Sequence, residues 1–392
     1  MNLLALKMLV GDRAKYIGII VGITFAALLI TQQMAIFLGL MTRTFGFITD
    51  TQLPDIWVMD PKVQFVDDIK PLQETQLLRV RGVEGVEWAM PLYKGLIRAR
   101  LNSGDFQTVN VIGVDDTTLV GGPPKMVQGE LSDLRRSEGV IVDLVGANSK
   151  LARTPLDKDG KPIPGAAKIP LKIGDTIELN DKRAVVVGIC EVQKTFESNP
   201  VVYTTYSRAT RFAPQERKLM SFIVVKASPG LTPEQLATRI RDKTGLEALT
   251  KAEFSKRTYL YFMKNTGIPI NFGIAVVLGF FVGTAIAGQT FYNFTLDNIK
   301  HFGALKAMGA SNLTLLRMIL LQAILVGVIG YGIGVGIASF IGFMGGRGEL
   351  AFYLPWWLLV GTGGAIAVIC MISALISITT VMRLEPAIVF KG

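Results

Sequence analysis

Residues 300–320 read KHFGALKAMGASNLTLLRMIL, a short basic helix broken at a glycine and set between two long apolar runs. Working outward from it, four windows lack Asp, Glu, Lys, Arg and His: Tyr16–Thr42, Asn265–Leu296, Met318–Gly346 and Leu350–Met382. About 20 apolar residues span a hydrocarbon core as a helix, so each window reads as one transmembrane helix. Of the 392 residues half are hydrophobic and 18% are charged. That is too apolar for an ordinary soluble protein and too charged for a wholly embedded one. The first window is too long for the apolar core of a signal peptide, and no A-x-A site follows Leu40, so it is expected to be an anchor.

Basic residues orient the chain. Lys7, Arg13 and Lys15 precede the first window, and Lys300, Lys306 and Arg317 separate the second and third. Arg383 and Lys391 follow the fourth, while the connection between the third and fourth has Arg347 offset by Glu349. Basic flanks stay in the cytoplasm, which places both termini and the 300s inside and Arg43–Lys264 outside. The net charge of +10 is then partly a topology signal, with no need of a nucleic-acid partner. The expected fold is an α-helical membrane protein with four transmembrane helices, one before and three after a large α+β extracytoplasmic domain. The expected order is an amphipathic cytoplasmic helix (1–16), a span (17–42), the outer domain (43–264) and a span (265–296). A cytoplasmic coupling segment (297–317), a span (318–346), a short outer loop (347–354), a span (355–382) and a cytoplasmic tail (383–392) follow.

The outer segment mixes strands and helices. IWVMDP, VEWAMPLYKGLIRARL, FQTVNVIGVD, GVIVD, DTIEL, AVVVGICEV, VVYTT and SFIVVKA are rich in β-branched residues and bounded by Gly, Pro or Asp. Pro71–Arg81 reads as a helix ending at Gly82 as C′. Thr232–Lys243 opens with Thr232 as N-cap, Pro233 at N1 and Gln235 at N3, with Leu231 and Leu236 placed to staple the cap. A β-rich insertion is expected from about 125 to 211. Beyond Gly245 the pattern turns helical, and Ala252–Lys264 is expected to continue into the second span as one rod. Leu3, Leu4, Leu6, Leu9 and Val10 alternate with Lys7, Asp12, Arg13 and Lys15, as in a helix lying on the inner surface.

Several chemistries are missing. There is no P-loop, and Gly160-Lys161 is followed by proline. With one His and two separated Cys, neither H-E-x-x-H nor C-x-x-C exists, and no internal disulfide is expected between Cys190 and Cys370. No ionisable residue lies inside the apolar windows, which speaks against a proton-coupled transporter. Glycines four apart at Gly18/Gly22, Gly279/Gly283 and Gly330/Gly334 permit close helix packing. No catalytic, metal or cofactor site is expected in this chain.

In the opening stretch Leu296, Ile299, Phe302 and Leu305 recur every three residues, with Asp297, Lys300, His301 and Lys306 on other faces. Gly309 fits a left-handed C′ position and Ser311 an N-cap for the next helix. The pattern reads as a helical corner with an apolar ridge and a basic rim, or as an interfacial helix whose apolar side lies in lipid. The residues G-A-L-K-A-M-G-A-S resemble the signature after the second span of FtsX/MacB-type ABC permeases, R-E-x-G-x-x-[KR]-A-[LMV]-G-A-[ST]. Gly303, Lys306, Ala307, Met308, Gly309, Ala310 and Ser311 match, and His301 stands where the acidic residue is usual. LKMLVGDRAKYIGIIVGITFA is similar to the family's approach to the first span. LKIGDTIELNDKRAVVVGI resembles the small β subdomain of the MacB outer domain. RLEPAIVFKG resembles the closing tail, most of all that of the DevC-like branch.

The resemblance implies a permease that dimerises and pairs with two separate ATPase subunits carrying the ATP. The segment before the first span is too short for a fused ATPase. It implies that the corner couples to the ATPase through Lys300, His301, Phe302, Gly303, Leu305, Lys306, Met308, Gly309 and Ser311. It also implies a periplasmic adaptor, an outer-membrane channel, and efflux of an amphipathic or lipid-like substrate across the inner membrane by mechanotransmission. Alternatives are an FtsX-like signalling permease acting on a cell-wall hydrolase, haem or antimicrobial-peptide efflux, and a membrane-anchored receptor.

Overall fold

A computed structural model describes residues 2–157, 163, 165–214, 219–346 and 350–382. The tail motif 383–392 and the pair Arg347 and Glu349 lie outside them. The chain forms two compact units: Met41–Thr266, and the residues on either side of it.

The flanking unit is helical. It holds α1 (Asn2–Gly11) and most of α2 (Arg13–Arg43), whose last residues belong to the interhelical domain. Among the described residues four helices are long and apolar enough to cross a membrane, beginning at Arg13, Ile268, Asn312 and Trp356. The expected surface helix over 1–16 is replaced by a shorter one that ends at Gly11. Its Ala5 and Leu9 are fully buried, and Gln322 Nε2 donates to the Ala5 carbonyl at 2.7 Å. Ala5 and Leu9 pack in the helical core, with Met8 against it, while Val10 stays exposed.

The interhelical domain starts with α3 (Gly46–Asp50), β1 (Ile56–Met59), α4 (Glu74–Arg81), the 15-residue β2 (Val86–Arg100) and β3 (Phe106–Val114). It continues with β4 (Lys125–Gln128), β5 (Gly139–Asp143), α5 (Leu144–Asn148), β6 (Thr176–Leu179), β7 (Lys182–Glu191) and β8 (Val201–Thr205). It closes with α6 (Tyr206–Phe212), β9 (Phe222–Ala227), α7 (Pro233–Thr244), β10 (Glu247–Thr250) and α8 (Lys251–Asn265). The eight expected strands are present. β10 corrects the helical reading after Gly245: Glu247–Thr250 pairs with β1, and Thr250 caps α8 through Glu253.

The first half of the sheet runs β10-β1-β9-β2, all antiparallel. Ile56 and Val58 pack with Leu236 and Ile240 of α7, and Trp57 and Met59 with Phe254 of α8. Successive strand residues point to opposite faces, so covering both faces buries all of β1. At the end of this half β2 changes partner. Leu92 still pairs with Phe222 of β9, and Tyr93 already pairs with Gly113 of β3. Ser221 pins the switch, its Oγ accepting from Lys94 N and donating to Lys94 O, each at 2.9 Å.

From there β2, β3, β8, β5, β7 and β6 pair in turn, and β6 returns to β2 at Ala99 and Arg100, closing a ring. Ile97, Val109, Val140, Ile177, Val186 and Val202 share its core. The β-rich ring therefore begins near residue 93, before the expected insertion start at 125, because β3 is a ring strand.

Caps follow the sequence at α7, where Thr232 and Gln235 form the capping box and Gly245 is left-handed at φ 71. At α4 Gly82 is itself the C-cap with ordinary φ −79, correcting its reading as C′. The expected rod is also corrected. α8 ends at Asn265, and its C-cap Thr266 is extended, before α9 (Ile268–Asp297) begins. Pro269 has no N–H to donate back to residue 265, and its ring crowds that carbonyl, so an unbroken helix is disfavoured. The remaining helices are α10 (Ile299–Ala307), α11 (Asn312–Gly346) and α12 (Trp356–Met382).

The expected glycine packing centres on α2. A Cβ on Gly283 would come within 2.3 Å of Ala26 Cβ, and one on Gly334 within 2.7 Å of the Thr24 carbonyl. Gly22 meets Ile286, and Gly330 meets Ile23. The small residues let α9 and α11 approach α2 at backbone distance, where dispersion replaces the missing hydrophobic drive.

Candidate functional site

The corner is built from the end of α9, the whole of α10 and the turn into α11. α10 ends in a Schellman arrangement. Ala310 N donates to Leu305 O, and Gly309 N to Lys306 O, both at 3.0 Å, with Gly309 at φ 94. Only glycine enters that region without Cβ strain, so the residue sets where α10 stops. Ser311 caps α11, its Oγ accepting from Thr314 N at 3.3 Å. A second constraint holds the other end: Lys15 at the start of α2 pairs with Asp297 and with Asp12, the latter at 3.0 Å. Asn298 Nδ2 donates to Phe294 O at 2.9 Å, closing the kink between α9 and α10.

The two sides of α10 differ sharply. Phe302 is fully buried, Gly303 is buried, and Leu305 is 8% exposed, all within the helical core. The expectation that Phe302 and Leu305 present a ridge is therefore corrected: the ridge faces the chain's own helices. Lys300, His301, Met308, Gly309 and Ser311 are exposed and Lys306 is half-buried. Met308 is 75% exposed and Leu313 55%. The surface offered by the corner is thus a glycine turn with one flexible thioether, one leucine and a basic rim. Sequence reasoning missed the pairing of Lys15 with Asp297 and gave no role to Asn298 and Leu313 within the coupling segment. Asp297 and Lys15 are far apart in the chain, and nothing local announces their pairing.

A model of the MacB-like periplasmic core domain matches residues 17–243, and one of the FtsX-like permease C-terminal matches residues 273–386. The chain belongs to the MacB/FtsX-type ABC transporter permeases. Two uncharacterized ABC transporter permeases of Mycobacterium tuberculosis, from strains CDC 1551 / Oshkosh and ATCC 25618 / H37Rv, are each 23% identical over 330 residues. The alignment covers 82% of this chain and 80% of theirs. Among solved structures, the periplasmic region of MacB from Actinobacillus actinomycetemcomitans is similar at 15% identity and TM-score 0.36, covering 56% of this chain and 96% of that one. The extracellular domain of the noncanonic ABC-type transporter YknZ from Gram-positive bacteria is similar at 12% and 0.33, covering 50% and 100%.

In this permease the two ends of the interhelical domain are tied together. Lys251, the first residue of α8, donates to the carbonyls of Thr49 at 2.8 Å and Thr51 at 2.9 Å, at the end of α3. Between those carbonyls Asp50 accepts from Gln193 N at 2.7 Å. Burial pushes the Asp50 carboxyl above the usual carboxylate range and the Lys251 ammonium below the usual lysine range. The permease's helical unit also holds an apolar cavity of ≈ 510 Å³ between α11 and α12, bounded by Gly327, Tyr331, Ile366 and Met371. The described residues contain no group of three or more His, Cys, Asp or Glu placed to hold a metal, and both Cys190 and Cys370 are free and buried.

Proposed function

We propose that this permease is the membrane subunit of an ABC exporter, driven by a separate ATPase that docks on the α10–α11 corner. A permease of this class implies an ATPase partner; which face it uses is our reading. The observation that carries it is the division of α10: a buried side that fixes the helix to α2, α9 and α11, and an exposed glycine turn with Met308, Leu313 and Lys300. A docking element must be stiff behind and adaptable in front, and methionine adapts to irregular partner surfaces. The basic rim would steer association more than hold it.

Force taken up at the corner would enter α2 through Lys15–Asp297 and the glycine contacts, and leave through α2 and α9 toward the interhelical domain. There the Lys251 tie makes the two chain ends move together. Positive flanks put the corner and both termini on the cytoplasmic side of the inner membrane and the domain on the other. An amphipathic or lipid-like substrate fits the apolar cavity between α11 and α12. A second permease copy, a periplasmic adaptor, an outer-membrane channel and the DevC-like branch complete the same reading.

The test is photo-crosslinking from position 308 or 313 in native membranes. We expect an adduct with an ABC-type ATP-binding subunit, lost when Gly309→Val breaks the turn. Adducts with lipid alone from both positions would remove the corner from the mechanism.

A further inference from the structure

The seam where β2 passes from the first half-sheet to the ring encloses a cavity of ≈ 250 Å³. Its walls combine features that a merely structural crevice does not need. Phe262, on the last turn of α8, meets Phe65 edge-on at 5.5 Å and Phe196 at 4.9 Å, giving three aromatic faces. Lys94 is buried, its side chain 4% exposed, and it is already neutralised by Asp67 and the face of Phe47, 5.7 Å away. Asn110 lines the cavity at 5% exposure, and among the described residues its side-chain amide makes no hydrogen bond. With Asp67 paired to Lys94, the carboxylate left at the mouth is Glu197, exposed and accepting from Asn199 Nδ2 at 2.8 Å.

The Asn110 amide lines the cavity and offers a donor and an acceptor to a polar group bound there. The fixed charges sum to a surplus of one negative once Lys94 is counted against Asp67. Aromatic faces favour a cation over an anion. The volume is below the usual range for a whole drug-sized ligand, so the site takes one end of a molecule. We propose that this cavity binds the ammonium-bearing end of an amphipathic molecule, with Asn110 hydrogen-bonding it, the phenylalanines covering its apolar part, and Glu197 facing its charge. The site is independent of the export reading, since it is defined by binding to the chain itself.

The experiment is a ligand-observed NMR titration of the full-length protein in detergent, using 2-phenylethylammonium and, as the matched anion, 3-phenylpropanoate. The amine is expected to bind up to about fivefold more tightly, one unit of net charge at a partly exposed site being worth up to ~1 kcal/mol. Glu197→Gln, an exposed change that leaves the core intact, should weaken the amine about threefold for the same reason. Asn110→Leu should weaken it roughly tenfold by removing one hydrogen bond and filling space. Equal or tighter binding of the carboxylate would overturn the proposal in favour of an anion site on Lys94. Amine affinity unchanged in both Glu197→Gln and a folded Asn110→Leu would overturn it altogether.

Discussion

In the ring of the interhelical domain, Ile97 is 3% exposed while its neighbours Arg98 and Arg100 stand in solvent. In the helical unit Phe291 and Phe294 are buried, yet Phe281 and Phe340 are 64% and 63% exposed. Water outside the domain favours polar residues on the exposed face, where Leu96 and Phe106 are apolar exceptions at 43% and 56% exposure. A hydrocarbon environment places no such demand on the helices, so both of their faces are apolar. An apolar residue is therefore a better guide to the core in the domain than in the helical unit. Inside the helical unit, close backbone approach at glycine separates inner face from outer.

The sharpest test of this contrast is Phe222→Ala against Phe281→Ala. Phe222 is fully buried, edge-on to Trp57 at 5.4 Å. Its truncation should cost about 3–5 kcal/mol through lost transfer energy and a cavity. Phe281→Ala should stay within about 0.5 kcal/mol, as exposed changes do. Urea unfolding followed by tryptophan emission separates the units, since Trp57 and Trp88 lie in one and Trp356 and Trp357 in the other. Comparable losses at both positions would break the contrast.

This difference decides what was legible beforehand. Strand alternation and turn residues located eight of the strands, among them β1 and β6, which are no longer than the missed β4 and β10, and the Thr232 box located the start of α7. Four charge-free windows located the long helices. Ring closure was not legible, because β6 meeting β2 is a pairing between residues about 80 apart that leaves no local trace. β10 was missed because EALT is a good helix sequence that pairing with β1 overrides. At the corner the turn was readable from Gly309 and Ser311, since left-handed backbone and N-caps demand particular residues. The inward direction of Phe302 was not, because a three-residue apolar period is the same whether it faces lipid, a partner or the chain's own core.

The corner offers the second test. Phe302→Asp buries a charge in the helical core and should prevent normal assembly. Met308→Asp should assemble normally and lose ATPase affinity by about 2 kcal/mol, some 30-fold, if Met308 is an anchor. Co-purification and stimulated ATP hydrolysis read the second effect, and monodispersity in detergent reads the first. A Met308→Asp protein that retains its full complex would show that the exposed turn is not the docking surface.

A smaller effect sharpens the role of glycine. Gly334→Ala drives a methyl against the Thr24 carbonyl and Ala27, and should cost about 1–3 kcal/mol by forcing α2 and α11 apart. Gly336 has nothing within 4 Å of a built Cβ, and Gly336→Ala on the same helix should gain slightly through lower chain entropy. Equal behaviour of the two would mean that the α2–α11 contact is loose.

The smallest effect is a pH dependence confined to one unit. Asp143 caps α5, its Oδ2 accepting from Gly146 N and its Oδ1 from Val201 N, both at 2.7 Å. Burial nevertheless outweighs these bonds and raises its pKa above 3.8, and burial also raises Asp50. The folded chain then holds these protons more tightly than the unfolded chain does. Their contribution is fully present below about 3.8 and is lost as pH rises through the raised value. Asp143→Asn removes the titration, so wild type should gain on the variant as pH falls from neutral toward 4, with no change of the gap above the window. The variant also starts lower at neutral pH, because an amide N–H₂ replaces one acceptor opposite a backbone N–H. The apolar windows of the helical unit contain no titratable carboxylate. Trp356 and Trp357 should therefore report a wild-type-to-variant gap near zero throughout, while Trp57 and Trp88 report the acid-side gain. A gap that narrows on acidification in the domain would reverse the sign and show that the two backbone bonds, rather than burial, set the Asp143 carboxyl.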